Sequence, residues 1–227
     1  MRRVCLLALA ATLASGQLAG QQSNIRIAVL PLENTGSYGQ DKEVFEGLEL
    51  GLASMLASSL DRHPSVDVPD QGRQNEALKA AGVVLGQRVD AATAAQVAKG
   101  VGGRFAVTGS FADFYGKFRI NARVVNAETG EILEVVSNDD PKLQDRAQLS
   151  AIVHRLADLI IKAVGLPPSP SSNPPAIPTD AITDYSRGLL YESRGDRAKA
   201  LDYYRRAVTA YPDYQEAQTG VRRLDGA

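Results

Sequence analysis

Residues able to do acid–base, nucleophilic or metal chemistry are few in this chain and lie apart. Asp139 and Asp140 adjoin near the end of a strand-like segment, and paired carboxylates can divide the roles of acid and base. Neighbours on a strand or turn point different ways, however, and Pro141 directly after them marks a loop. His63 and His154, the only histidines, are too far apart in sequence to read as a zinc site or a Ser-His-Asp arrangement. Cys5, the single cysteine, falls in an amino-terminal apolar run. A mature chain without that run has no disulfide, thiol nucleophile or thiolate ligand. Two glycine-rich stretches invite a phosphate-binding reading. The stretch GSYG at 36–39 has the right order, strand before and helix after, but lacks the dinucleotide fingerprint and the Walker lysine. Gly100, Gly102 and Gly103 come in the reverse order and read as a helix stop leading into a strand. No catalytic, cofactor-binding or metal-binding residue is assigned, and no cofactor is expected.

The pattern supports a scaffold instead. Residues 104–138 read as three consecutive antiparallel strands. Along 117–124, Phe118, Ile120, Ala122 and Val124 alternate with Lys117, Arg119, Asn121 and Arg123, so one face is buried and the other wet. Gly130, in the loop 126–130, supplies the left-handed backbone of a short hairpin. Residues 25–32 (IRIAVLPL) form an apolar run of strand length that ends at a proline, expected as a central strand covered on both faces. Residues 41–60 carry Phe45, Leu48, Leu52, Met55, Leu56 and Leu60 at helical spacing, with Asp41 placed as the cap. A short strand at 64–69, bracketed by Pro64 and Pro69, belongs at a sheet edge. Helices are expected at 71–81, 91–101 and 143–164. In the last, Leu149, Ile152, Val153, Leu156, Ile160 and Val164 face inward while His154 sits with Arg155, Asp158 and Lys162 in solvent.

A net charge of −1 over 227 residues gives no drive toward nucleic acid or an anionic membrane. At the amino end, Arg2 and Arg3 precede a run of about eleven apolar residues and then small ones, the three-part pattern of a secretory signal over 1–20. That run is shorter than the roughly 20 residues a membrane span needs, so no integral span is expected in the mature chain. Leu18-Ala19-Gly20 leads into Gln21 where a lipoprotein would have cysteine, so lipid anchoring is not expected. Six of the eleven prolines fall within the linker, 167–179. It divides an α/β domain at 24–166 from a helical module at 180–227 that holds six of the eight tyrosines. The linker is expected to keep the two from sharing a core.

In the helical module, Gly188, Tyr191, Ala200, Tyr204, Ala207 and Pro212 stand at spacings that resemble one tetratricopeptide repeat, followed by a packing helix at 214–224. Asp184 and Arg187 depart from it, where the pattern usually has an aromatic and a leucine. The resemblance implies two antiparallel helices whose first helix presents Tyr185, Leu189 and Glu192 to a partner. Within 25–166, Ile27-Ala28-Val29-Leu30-Pro31-Leu32 with Asn34, Val107-Thr108-Gly109-Ser110-Phe111 and Asn126-Ala127-Glu128-Thr129-Gly130-Glu131 are similar to a bacterial envelope superfamily. It includes the periplasmic domain of the curli secretion protein CsgG, the TolB amino-terminal domain and LpoB-type activators of penicillin-binding proteins. The resemblance implies an α/β sandwich, a mixed sheet with a carboxyl-terminal antiparallel meander packed by helices, used for protein–protein contact. Arg104 departs from it, standing where the family often has an acidic residue. The loops at Gly116 and Gly130 are too short for the membrane-crossing hairpins of a secretion pore.

The expected function is therefore non-enzymatic: an exported, periplasmic protein that contacts other envelope proteins as an accessory or scaffold. Outer-membrane association and self-association are left open. A small-molecule sensor and a CsgG-like secretion component are the alternatives. Export predicts a mature amino terminus between Gln17 and Gln22 without attached lipid. Mass spectrometry of the protein recovered from its native host tests this, and an intact Met1 or a lipid adduct sinks it.

Overall fold

The computed structural model describes residues 24–36, 42–142, 144–169 and 175–226. The signal segment, its cleavage point and the Asp41 cap lie outside the described residues. The chain runs β1 (Ile25–Asn34), α1 (Lys42–Asp61), β2 (Val66–Asp67), α2 (Gln71–Ala80), α3 (Ala91–Gly100), β3 (Phe105–Phe114), β4 (Lys117–Asn126) and β5 (Ile132–Ser137). A short 3-10 turn (Arg146–Gln148) and α4 (Leu149–Ala163) follow, then α5 (Thr179–Ser193), α6 (Arg197–Ala210) and α7 (Gln215–Asp225).

The five strands form one mixed sheet in the order β2-β1-β3-β4-β5, with β1 parallel to both neighbours and β3, β4 and β5 antiparallel. Phe118, Ile120, Ala122 and Val124 are fully buried, as their alternation requires. They pack with Leu48, Leu52 and Leu56 of α1 and Ile152, Leu156 and Ile160 of α4. The opposite face of β1 and β3, through Ala28, Leu30 and Ala106, is covered by α3. The β3–β4 connection is two residues, Tyr115 and Gly116, both at positive φ, as a type I′ hairpin turn demands.

Several element bounds differ from those read in the sequence, and the strand expected at 64–69 is only Val66–Asp67. β1 does not end at Pro31 but continues to Asn34. The pairing with β3 shifts register between Val29 and Leu32, and that irregularity accommodates a residue with no N–H. The helix expected from 143 begins at Leu149. Ahead of it, Asp145 bridges to Lys117 and its carboxylate accepts from the Ala147 N–H. Arg146 is ion-paired to the fully buried Asp113 and lies over the Phe45 ring, which pins the turn against α1.

The larger correction concerns the tail. Its core is not separate from that of the sheet, because α5 lies along α1 and Ile182 enters the cluster between α1, α4 and the strands. The approach is close because α1 offers glycines there. A Cβ on Gly47 would stand 3.0 Å from the Ser186 backbone, and one on Gly51 only 1.8 Å from Ser186 Oγ. Tyr185 Oη and Ser54 Oγ share a 2.8 Å hydrogen bond across the same seam. Gly51→Ala should therefore destabilise the protein. Overpacking costs about 1–3 kcal/mol, which exceeds the helix-propensity gain of about 1 kcal/mol. With Ser186→Gly alongside, the penalty should shrink by at least about 1 kcal/mol, a coupling of the size contacting residues show. Urea unfolding of the two single variants and the double variant reads this out. Additive effects would mean the seam is not closed by this pair.

Candidate protein-interaction surface

The tail builds its own core around Tyr204. α5 and α6 run antiparallel, and a Cβ on Gly188 would come within 2.4 Å of one edge of the Tyr204 ring, Cδ1 and Cε1. From α7, a Cβ on Gly220 would come within 2.7 Å of the opposite edge, Cδ2 and Cε2. Only glycine at both positions lets three helices close on one aromatic side chain. The fully buried Tyr204 donates its phenol proton to Glu192 at 2.6 Å, and the same carboxylate holds Arg223 at 2.5 and 3.0 Å. Burial first, and then the Glu192 carboxylate, push the Tyr204 phenol far above its ordinary pKa, so it stays a donor. Ala200 and Ala207 fill the remaining space beside Tyr185 and Leu189.

On the side facing α1, Glu43 gathers two hydroxyl donors and one cation. Tyr191 reaches it at 2.6 Å, Tyr203 at 3.4 Å and Arg187 at 3.2 Å. Tyr191 and Tyr203 stack at 5.5 Å, and Arg194 pairs with Glu46 at 2.6 Å. These polar contacts fix how far α5 slides along α1.

The three residues expected to face a partner are thus placed otherwise. Tyr185 and Leu189 are 4% and 3% exposed, and Glu192 is engaged by Tyr204 and Arg223. The first helix of the hairpin is covered by α1 and α7 instead of lining an open concave face. The motif positions Gly188, Ala200, Tyr204 and Ala207 come together at the helix seam, Tyr191 turns to α1, and Pro212 lies exposed after α6.

What remains open is a groove of about 1130 Å³ where the end of α1, α5 and α7 converge. Ser54, Ser58 and Arg62 form one wall, and Tyr211, Tyr214 and Arg223 the other. The rings of Tyr185 and Tyr214 meet 4.9 Å apart at its inner side, and Burial raises both phenols, which keeps them neutral. The Tyr214 hydroxyl is buried with no hydrogen-bond partner among the described residues. Sequence reasoning missed Tyr211, Tyr214 and Arg223. Their signal was the crowding of tyrosines beyond residue 181, but only the docking of α5 on α1 decides which of them border a groove.

The other candidates resolve into structural roles. Asp139 pairs with Arg119 at 2.6 Å, and Asp140 accepts from the Lys142 N–H at 2.9 Å, so the two carboxylates do not converge. His63, 2% exposed, accepts from the Ser65 N–H and sits 3.1 Å from the Pro167 carbonyl. His154 is half-buried, not free in solvent. Burial, and then the Arg62 charge 3.2 Å away, lower its pKa. Among the described residues, no group of three or more His, Cys, Asp or Glu residues is placed to hold a metal ion, and no helix is long and apolar enough to cross a membrane.

Neither a protein-family model nor a curated protein matches the chain. Among solved structures it is similar to LpoB from E. coli, with 12% identity and a TM-score of 0.41 over 51% of this chain and 55% of that one. The match thus spans about half the length of that protein. The LpoB C-terminal domain from Escherichia coli gives 13% and 0.40 over 52% and 83%. TolB from Acinetobacter baumannii gives 14% and 0.41 over 63% of this chain and 29% of that one. Likenesses this distant assign neither family nor activity.

Because Tyr185 and Leu189 are core, truncating both (Tyr185→Ala with Leu189→Ala) should lower stability by several kcal/mol, at about 2–5 kcal/mol for each large-to-small change. Thermal unfolding followed by circular dichroism checks it. An unchanged melting temperature would return both residues to a free surface.

Proposed function

We propose that the chain is a non-enzymatic, exported envelope protein whose helical tail, seated on an α/β platform, mediates protein–protein contact as an accessory or scaffold of a periplasmic or outer-membrane assembly. The observation that carries this reading is the composition of the groove. Half-buried Tyr211 and exposed Arg62 and Arg223 line it above the buried rings of Tyr185 and Tyr214, with Asp61, Asp213 and Glu216 among them. Tyrosine and arginine dominate the energetically important positions of protein interfaces, since each offers a large, stiff contact area with a polar end. Export belongs to the same proposal and is supported by the pattern of residues 1–20. So does the reading of 180–227 as a single tetratricopeptide-like unit, which the interlock of Gly188 with Tyr204 supports. In this reading the α/β part, 24–166, supplies α1 as the seat that a lone repeat would otherwise find in a neighbouring repeat.

A photo-crosslinking side chain at the exposed Gln215, on the groove's rim, tests the proposal. In the native envelope it should capture a discrete protein. Tyr211→Ala should reduce that yield about tenfold, the effect of losing an interfacial aromatic anchor, while the melting temperature stays within a few degrees. A diffuse ladder, or a yield that ignores Tyr211→Ala, counts against the groove as an interface.

A further inference from the structure

A second surface lies at the other side of the sheet, independent of the groove. Among the described residues β5 pairs only with β4, so its outer edge presents backbone N–H and C=O groups that no described strand pairs. Edge strands are usually blunted by charged side chains, above all lysine, by proline, by bulges or by extreme shortness. β5 is six residues long with neither lysine nor proline, and it exposes Ile132 (45%), Leu133 (46%) and Val135 (59%). The one irregularity is a register shift opposite Val124 and Val125, after which Glu134 to Ser137 pair regularly with β4.

The charges along the strand and its flanks are one-sided, while Arg88 and Arg123 stand beside Val135 on the β4 side. From Asn126 to Pro141 the chain has Glu128, Glu131, Glu134, Asp139 and Asp140 and no lysine or arginine. Asp139 is committed to Arg119, while Glu131 and Glu134 are exposed and make no ion pair among the described residues. Arg123, opposite Val135 on β4, donates to the Val89 carbonyl and is half-buried. A second copy is a poor occupant, because two β5 segments edge to edge bring two copies each of Glu134 and the flanking Glu131 together. We propose that the outer edge of β5 takes an added strand: an extended protein segment in which apolar residues alternate with lysine or arginine. Backbone bonds to the open edge hold such a segment, its apolar residues cover Ile132 and Val135, and its cations meet Glu131 and Glu134.

The test uses the full chain and two capped synthetic peptides, one alternating valine with lysine and one alternating valine with glutamate. Fluorescence anisotropy measures binding, and hydrogen exchange locates it. The lysine peptide should bind, weaken with salt and slow exchange of the amides in Ile132–Ser137, whereas the glutamate peptide should not bind. Glu134→Lys with Val135→Lys, both exposed and outside the core, should weaken the lysine peptide at least about tenfold and remove the β5 protection. The crosslink from Gln215 should be untouched by this variant, so failure here is separable from failure of the groove. The proposal is overturned if the lysine peptide fails to bind or leaves β5 exchange unchanged. It is equally overturned if the variant binds as well as the native chain, or if β5 is protected without peptide by a concentration-dependent dimer.

Discussion

The architecture depends on α1 being buried on two sides. One side sends Phe45, Leu48, Leu52 and Leu56 against the sheet. The other, through Gly47, Leu50, Gly51 and Ser54, is roofed by α5. Even Glu49, 4% exposed, is turned to use, its carboxylate accepting the Gly86 N–H at 2.8 Å and tying the α2–α3 connection to the helix. A helix buried this far round has no broad polar face, so its pattern reads less cleanly than that of a surface helix. Glycines in the middle of a helix cost about 1 kcal/mol each relative to alanine. That cost is outweighed by what the close approach admits, since full burial of a side chain such as Ile182 is worth about 1.5–3 kcal/mol.

Polar contacts across the same seam decide position more than stability. Glu43 with Tyr191 and Arg187, and Glu46 with Arg194, are partly solvated, and exposed ion pairs are worth at most about 1 kcal/mol. Burial of Ile182, Tyr185 and Leu189 holds the tail down. The directional bonds then choose one register among those the apolar surface would tolerate. Asp113 does comparable work at the other end of α5. It fixes Arg146, whose carbonyl accepts from Thr179 Oγ1 at the first turn of that helix.

Much of the sheet was legible in the sequence because its signals are local. Alternation along 117–124, prolines flanking β2 and Gly130 in the loop before β5, at positive φ as its reading required, each act within a few positions. The bulge at Pro31 was not, since a proline reads as a strand end unless the partner's register is known. The start of α4 at Leu149 was hidden because Asp145 and Arg146 are claimed by β4 and Asp113, distant in sequence. Tyr185 and Leu189 fail for a related reason. Their helical spacing announces that a face is covered, but not by what, and the cover comes from α1, over a hundred positions earlier. The groove inherits that blindness, because its walls belong to α1 and the tail together.

The two edges of the sheet are treated differently, and the difference is informative. β2 is two residues long, Pro64 and Pro69 flank it, and its Asp67 is tied to Arg26 at 2.5 Å, so it offers little backbone to a newcomer. β5 is three times as long, unflanked by proline at its ends, and apolar on its exposed side chains. Beyond the register shift opposite Val124 and Val125, its protection is charge, and charge discriminates: glutamates repel an acidic strand or a second β5 while leaving the edge open to a basic one. Chain economy points the same way. Exposed Ile132, Leu133 and Val135 add nothing to the core, where Val136 is the β5 residue that packs against the helices. Three large apolar side chains kept in water beside unpaired backbone are an aggregation liability for an uncommitted surface. They are a specific recognition element for one that is met by a strand of opposite charge.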